Sequence, residues 1–197
     1  MPKLSRGWTS VLVILLALVV DQTVKLLVKT QMDLHDSIRV TNWFYILFIE
    51  NNGMAFGWEL FGKVFLTLFR LVASGLLVWY IVWLCRRPKE EYRMGYIVCI
   101  SLILAGALGN VIDCLFYGLL FDYAPFMQGR VVDMLYFPLI DTVLPAGFPI
   151  WGGEHFVFFR PVFNIADSCI TVGIFVLIIF YHRELVAADH KSKTPAK

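Results

Sequence analysis

Four long apolar stretches constrain the fold of this sequence more than any other feature. A bilayer core is about 30 Å thick, so about 20 helical residues are needed to cross it. The sequence predicts four such spans, at about residues 8–28, 64–84, 95–117 and 165–181. Only 16% of the residues are charged, whereas a soluble domain usually carries about 25%. We therefore predict one membrane-embedded domain over residues 1–197, an all-α integral membrane protein with four transmembrane helices.

Basic residues predict how these helices are oriented, because lysine and arginine concentrate on the cytoplasmic side of a membrane. They cluster before the first span, between the second and third spans, and after the fourth: Lys3, Arg6, Arg86, Arg87, Lys89, Arg93, Arg183, Lys191, Lys193 and Lys197. We therefore expect both termini in the cytoplasm, with a cytoplasmic tail at about residues 182–197. The segments at about 29–63 and 118–164 are then extracytoplasmic.

The two extracytoplasmic segments are rich in aromatic residues, which favour the headgroup region of a bilayer. The first includes Trp43, Phe44, Phe56 and Trp58, and the second includes Phe137, Trp151 and Phe158. In the second segment, Gly152 and Gly153 favour a hairpin turn between extended pieces. We therefore expect these segments at the membrane surface, with a small β element among them.

Ionisable and amide side chains interrupt the apolar spans, and their burial in hydrocarbon costs several kcal/mol or more. They form three pairs spaced three or four residues apart, with one further aspartate in an apolar loop: Asp21 and Lys25, Asn110 and Asp113, Asn164 and Asp167, and Asp133. Residues at this spacing share a helical face. The predicted orientation places all three pairs at one depth, near the outer surface, which predicts a polar site there.

The residues of this site favour acid–base catalysis by a pair of aspartates. The sequence has no H-E-x-x-H helix and no serine–histidine or cysteine–histidine arrangement at this depth, so we expect neither a metal nor a cofactor. Two neighbouring carboxyl groups share one proton, and the pair can activate a water and polarise a carbonyl group. A net charge of +2 is too small to indicate nucleic-acid binding.

Three other functions compete with peptide hydrolysis. A small transporter or channel would spread polar groups along a path through the bilayer, but the inner halves of the spans look apolar. A presenilin-like protease would place its aspartates deeper and in different motifs. A structural scaffold would not need the ordered polar motifs described next.

Five motifs in this order resemble the lipoprotein signal peptidase (type II signal peptidase) family of bacteria. They are Asp21–Lys25 (D-Q-x-x-K), Asn51–Phe56 (N-x-G-x-A-F), Gly106–Asp113 (G-A-x-G-N-x-x-D), Gly129–Asp133 (G-x-V-x-D) and Phe163–Ser168 (F-N-x-A-D-S). Each motif is weak by itself. Their common order, each at a fitting place in the four-span topology, makes the resemblance specific.

The resemblance implies an aspartic endopeptidase of the bacterial cytoplasmic (inner) membrane, with its active site near the outer face. Asp133 and Asp167 match the family's catalytic pair, and the residues implied to line or support the site are Asn51, Asn110, Asp113, Asn164, Asp21 and Lys25. The implied substrates are prolipoproteins with a diacylglyceryl-modified cysteine, cut just before that cysteine. Membrane lipids and globomycin-type inhibitors are the other implied partners.

The sequence departs from the family pattern in two places. Cys114 follows Asp113 where the family commonly has arginine, and Arg130 or Arg160 is a candidate replacement. The stretch between Asp133 and Phe163 is also longer than is usual in the family. The first departure concerns the site itself, and the second concerns how the outer loop covers it.

Overall fold

The computed structural model describes residues 4–52, 62–88, 90–147, 149 and 152–186. The helices in this part of the chain are α1 (Arg6–Gln31), α2 (Gly62–Cys85), α3 (Met94–Ile112), α4 (Gly118–Leu120) and α5 (Ile165–Phe180). The strands are β1 (Ser37–Arg39), β2 (Tyr45–Asn51), β3 (Val131–Tyr136), β4 (Ile140–Val143), β5 (His155–Phe158) and β6 (Val162–Phe163). A π-helical stretch, Asp113–Tyr117, joins α3 to α4.

Three helical segments are long and apolar enough to cross a membrane: Arg6–Gln31, Gly62–Cys85 and Met94–Leu120. The fourth predicted span is an apolar helix of 16 residues, α5. The described protein therefore contains three long membrane-type helices and one shorter one, close to the predicted bounds. Their outward faces expose large apolar side chains such as Leu16, Phe69 and Phe175, as lipid contact requires.

Helix α3 is the centre of the bundle, since it packs against α1, α2 and α5. Its buried side chains include Tyr96, Ile97 and Leu104. The approach to α5 is close because α3 carries Gly106 at the contact. A Cβ atom at Gly106 would lie 2.2 Å from the backbone oxygen of Ala166.

A four-stranded antiparallel sheet with the order β1-β2-β3-β6 covers one end of the bundle. Strands β1 and β2 come from the first predicted extracytoplasmic segment, and β3 and β6 come from the second. Tyr45 lies opposite Tyr136, and Leu135 lies opposite Phe163. The prediction of a small β element is thus confirmed, but the strictly all-α description is too narrow, because a sheet joins segments far apart in sequence.

Strands β4 and β5 form a separate two-stranded hairpin. Gly153 lies in its connection with a φ of +81°, a conformation that favours glycine. The N–H group of Gly153 donates to the carbonyl oxygen of Leu144 at 3.0 Å. The predicted turn at Gly152 and Gly153 therefore lies in a hairpin connection.

Aromatic side chains form a row along the sheet. The ring of Phe44 stacks on that of Phe137 with centroids 4.7 Å apart, and Phe137 stacks on Phe163 at 5.7 Å. Trp43 lies 6.1 Å from Phe137 on the other side. Phe56, Trp58, Trp151 and part of the N-x-G-x-A-F motif, residues 53–56, lie outside the described residues.

Candidate active site

The sheet and the last helix together deliver the two predicted catalytic aspartates. Asp133 lies in the middle of β3, opposite Ile49 of β2, and is only 2% exposed. Strand β6 pairs with β3 and leads directly into α5, whose first turn carries Asp167. The pairing of β3 with β6 therefore brings both carboxyl groups to the end of α5.

The start of α5 is fixed by a capping box. The N-cap residue is Asn164, and its side-chain oxygen accepts from the backbone N–H of Asp167 at 2.9 Å. In return, the carboxylate of Asp167 accepts from the backbone N–H of Asn164 at 3.4 Å. Asp167 thus combines a capping role with its position beside Asp133, and it is held in one orientation.

Three asparagine amides hydrogen-bond the two carboxylates, and two of them, Asn164 and Asn110, connect one carboxylate to the other. The Nδ2 of Asn164 donates to Oδ1 of Asp133 at 2.7 Å and to Oδ1 of Asn110 at 3.2 Å. The Nδ2 of Asn110 donates to Oδ1 of Asp167 at 2.8 Å. Asn51, at the end of β2, donates to Oδ2 of Asp133 at 3.0 Å. Each carboxylate is therefore hydrogen-bonded within one continuous network.

The pKa of Asp133 is raised to about 6, mainly by burial and in part by the negative charge of Asp167. The hydrogen bonds from Asn51 and Asn164 oppose this effect, because they stabilise the ionised form. A carboxyl group with such a pKa keeps its proton at a pH where ordinary aspartates have lost theirs. The pair can therefore hold one proton close to neutral pH.

Lys25 is the charged centre of a second, deeper group of polar residues. Its side chain is fully buried. The Nζ atom lies 3.0 Å from Oδ2 of Asp21 and 2.8 Å from Oδ2 of Asp113, and it donates to Oδ1 of Asn110 at 2.9 Å. An ammonium group has three N–H donors, so all three are used. Two carboxylates and one amide thus neutralise and solvate this cation inside the bundle.

The two carboxylates of this deeper group also hold backbone. Oδ1 of Asp21 accepts from the N–H of Ala166 at 2.8 Å, and Oδ2 of Asp113 accepts from the N–H of Val132 at 3.3 Å. Ala166 directly precedes Asp167, and Val132 directly precedes Asp133. The group around Lys25 therefore fixes the backbone next to each catalytic candidate.

All eight predicted site residues meet in this region, in two groups. Asn51, Asn110, Asn164, Asp133 and Asp167 form the upper group of carboxylates and amides. Asp21, Lys25 and Asp113 form the lower group, and Asn110 touches both. Asp167 is half-buried and Asn51 is exposed, so the upper group opens to the outside while the lower group is closed.

Two contacting residues were missed by the sequence analysis. The Nε2 of Gln22 donates to Oδ1 of Asp113 at 3.0 Å, while its Oε1 accepts from the hydroxyl of Tyr117 at 3.2 Å. Glu50 forms ion pairs with Lys29 and with Arg130, the latter at 2.9 Å. Gln22 lies within the D-Q-x-x-K motif, which could have indicated it. Glu50 carries no comparable signal before its strand partner is known.

The environment of Cys114 differs from the expectation. Arg130, one candidate replacement for the arginine expected at this position, pairs with Glu50 instead. The side chain that contacts Cys114 is that of Arg70 in α2. Its Nη1 donates to the sulfur of Cys114 at 3.0 Å. A single arginine inside the second apolar span was visible in the sequence, but without the packing of α2 on α3 its neighbour could not be deduced.

This chain is similar to known proteins over most of its length. The family model for signal peptidase (SPase) II matches residues 13–183. A lipoprotein signal peptidase of Porphyromonas gingivalis is 46% identical over 209 residues, which cover 98% of this chain and 92% of that protein. One of Amoebophilus asiaticus is 36% identical, over 88% of this chain and 78% of that protein.

Solved structures agree as well. One described as a bacterial membrane enzyme superposes with a TM-score of 0.61 at 28% identity, over 96% of this chain and 93% of the other. A second, with the same description, has a TM-score of 0.61 at 31% identity, over 87% and 90%. The family model matches most of the chain, the relatives are similar over most of their length, and the fold is shared. The chain therefore belongs to the signal peptidase II family.

Proposed function

We propose that this protein is an aspartic endopeptidase that removes signal peptides from diacylglyceryl-modified prolipoproteins, with cleavage just before the lipid-bearing cysteine. Membership of the signal peptidase II family supports the reaction, as do relatives that are lipoprotein signal peptidases. The observation that carries the mechanism is the joining of Asp133 and Asp167 by the amides of Asn164 and Asn110. Such a joined pair of carboxyl groups can activate water without a covalent intermediate.

In this mechanism Asp133 holds the shared proton and Asp167 is ionised. The raised pKa of Asp133 supports this assignment. Asp167 takes a proton from a water molecule, and the resulting hydroxide attacks the scissile carbonyl carbon. Asp133 gives its proton to the carbonyl oxygen. When the tetrahedral intermediate collapses, the C–N bond breaks and the proton from Asp167 passes to the leaving amine of the cysteine. Asp133 takes back a proton from a hydroxyl group of the intermediate, which leaves a carboxylic acid and restores the starting state of the pair.

The remaining site residues have supporting roles in this proposal. Asn51, Asn110 and Asn164 orient the two carboxyl groups through the hydrogen bonds described above. Asp21 and Asp113, held by Lys25, fix the backbone before each catalytic residue. The first group borders the substrate, and the second supports the fold around it.

The proposal places the whole chain, residues 1–197, in the bacterial inner membrane as one domain with four spans. Helix α5 is the fourth span, since its surface exposes Ile174, Phe175 and Ile178 to the outside of the bundle. The basic residues near the helix ends support cytoplasmic termini and an active site near the outer face. Membrane lipids then surround the bundle, and globomycin-type inhibitors bind at the open upper group.

Cleavage of a diacylglyceryl-modified prolipoprotein by purified protein tests the proposal. We expect Asp133→Asn and Asp167→Asn each to lower kcat by about 10²–10⁴-fold, the usual contribution of a positioned acid or base. Asp141→Asn is the matched control, because Asp141 is exposed and pairs with His155; it should keep full activity. Thermal unfolding of each variant checks folding. An inactive wild type, or a dyad variant that still cuts well, contradicts the proposal.

A further inference from the structure

Arg70 is a cation within an apolar helix that the proposed mechanism does not use. It lies in α2, is half-buried, and donates from Nη1 to the sulfur of Cys114. A thiol is a weak acceptor, whereas a guanidinium carries five N–H donors. Because a charge at membrane depth is costly, it marks a functional site by default. The contact with Cys114 alone does not repay that cost.

Among the described residues, the carboxylates of the deeper polar group and of Glu50 are engaged with cations other than Arg70. Asp21 and Asp113 pair with Lys25, and Glu50 pairs with Lys29 and Arg130. Among the described residues, no carboxylate lies within ion-pair distance of Arg70. The same is true of Lys63, seven residues earlier on the same face of α2, which donates to the backbone oxygen of Asn52 at 2.8 Å. These two cations form a strip with donors to spare.

The strip and the catalytic pair are linked through α3. Helices α2 and α5 both pack on α3 and make little contact with each other. On α3 and its π-helical continuation, Asn110 binds Asp167 of α5, and Cys114, one turn further on, binds Arg70 of α2. Asp167 and Arg70 therefore contact α3 and its continuation at positions four residues apart, which lie on the same side of that helix.

A signal peptide presents a complementary charge to this strip. As a membrane-spanning helix it leaves its last four carbonyl groups without intrahelical partners. These groups carry the negative end of the helix dipole, which amounts to about half an elementary charge. Arginine and lysine side chains near a helix C-terminus can hydrogen-bond such carbonyls. Under the proposed function the cut is made near the end of this helix, at Asp133 and Asp167, and the Arg70 contact on α3 is one helical turn from the Asp167 contact.

We propose that Arg70, assisted by Lys63, caps the C-terminal carbonyls of the substrate's signal helix and so positions the scissile bond at Asp133 and Asp167. This proposal rests on the proposed function and adds to it the substrate element that is recognised. It also accounts for Cys114: α2 supplies from Arg70 the guanidinium that the family commonly carries at that position. Arg70 is then a positioning residue that acts on substrate binding.

Steady-state kinetics on a diacylglyceryl-modified prolipoprotein test this role. A hydrogen bond to a charged group contributes about 1.5–3 kcal/mol, so Arg70→Met should raise KM about 10- to 100-fold and leave kcat within about twofold. Arg70→Lys, which keeps the charge, should lose much less. Lys63 lies at the start of α2. Lys63→Met should raise KM in the same way but by a smaller factor.

Cys114→Ala is the matched control, because it removes the hydrogen bond between Arg70 and Cys114 but keeps the cation. We expect its KM within about twofold of wild type. The variant Arg70→Met with Cys114→Arg moves the guanidinium to α3, and it should recover most of the lost KM. Thermal unfolding verifies that each variant is folded.

Three outcomes would overturn the inference. KM could be unchanged in both Arg70→Met and Lys63→Met, or Cys114→Ala could raise KM as much as Arg70→Met does. In the latter case Arg70 merely ties α2 to α3. The relocated arginine could also fail to restore KM in a folded protein. Failure of the wild type to cut the substrate would instead overturn the proposed function, so the two failures are distinguishable.

Discussion

Asp133 and Lys25 meet opposite electrostatic requirements within one small volume. Lys25 must remain charged while fully buried, and two carboxylates and an amide surround it. Asp133 instead has a raised pKa, because burial and the negative charge of Asp167 outweigh the hydrogen bonds from Asn51 and Asn164. Asn110 contacts Lys25 through its oxygen and Asp167 through its nitrogen. One neutral side chain thus lies between the buried cation and the catalytic pair.

The pH dependence of cleavage tests the proton assignment. If Asp133 holds the shared proton, activity is lost as the pH rises through its pKa, so it sets the alkaline limb of kcat/KM. Asn51 stabilises the ionised form of Asp133 and lowers its pKa. We therefore expect Asn51→Ala to raise the pKa from about 6 and move the alkaline limb to higher pH.

A full pH profile of wild type, Asn51→Ala and the control Asn42→Ala provides the measurement. Asn42 is exposed and accepts a hydrogen bond from Arg39, so its replacement should leave both limbs in place. If Asn51→Ala moves the acid limb and leaves the alkaline limb where it was, the proton belongs to Asp167 instead.

A contact between two side chains could be predicted from sequence only where both residues lie on one helix. The pair of Asp21 and Lys25 follows from their spacing of four residues, and the structure contains that ion pair. The bond from Lys25 to Asp113 depends on how α1 and α3 are rotated against each other, which no spacing reveals. Arg70 was overlooked for the same reason, since its meaning comes from its neighbour on α3.

Among the elements, α3 and α5 determine whether the two carboxyl groups can meet. Their backbones approach closely at Gly106, where an added Cβ would collide with the carbonyl group of Ala166. Ala166 is also the residue whose N–H is held by Asp21. A shift of this one residue would therefore move Asp167 away from Asp133.

Gly106→Ala should accordingly separate α5 from α3. We expect a loss of about 1–3 kcal/mol in stability, typical of overpacking, together with a large fall in cleavage. Gly75→Ala is the matched control in α2, because nothing lies within 4 Å of its added Cβ. It should be neutral or stabilising, since alanine favours a helix over glycine by about 1 kcal/mol. Thermal unfolding in detergent and the cleavage assay measure both effects; equal behaviour of the two variants would contradict this view of the contact.

The helices were predictable as elements, but the sheet was only partly so. Apolar runs in α1, α2 and α3 need no partner to be recognised. Strand β2, in contrast, is defined by its pairing with β3, about 80 residues later, with a register irregularity between Ile46 and Ile49. The aromatic residues of that region suggested a membrane surface, and the same residues also pack as a row on the sheet.

On the scale of the whole molecule, the proposed topology has a direct test. Glu154 lies in the connection of the β4–β5 hairpin, and Ser192 lies in the predicted cytoplasmic tail. A membrane-impermeant maleimide added to intact spheroplasts should label Glu154→Cys but not Ser192→Cys. Lysis should then make Ser192→Cys reactive. The unsubstituted protein, whose described cysteines are buried or half-buried, gives the background; labelling of both positions in intact cells would contradict the topology.

For the whole molecule, the sequence predicted the depth of the polar site in the membrane. It did not predict that the site is divided into two groups. Opposite directions of α3 and α5, combined with the spacing of their polar residues, suggested one depth near the outer face. Which residues face the opening and which are sealed below depends on β3, because its backbone at Val132 closes the lower group through Asp113. Sequence patterns do not carry that information.

The bond from Asp21 to the amide of Ala166 spans 145 residues and joins the first helix to the last. During synthesis the carboxylate of Asp21 has no Ala166 amide to accept from until 145 further residues have been added to the chain. A nascent chain that stops before Asn164 has neither this amide nor Asp167. Under the proposed mechanism such a fragment is inactive. The protein therefore cannot cleave peptides before α5 has been synthesised, whereas a propeptide is what prevents early activity in other proteases.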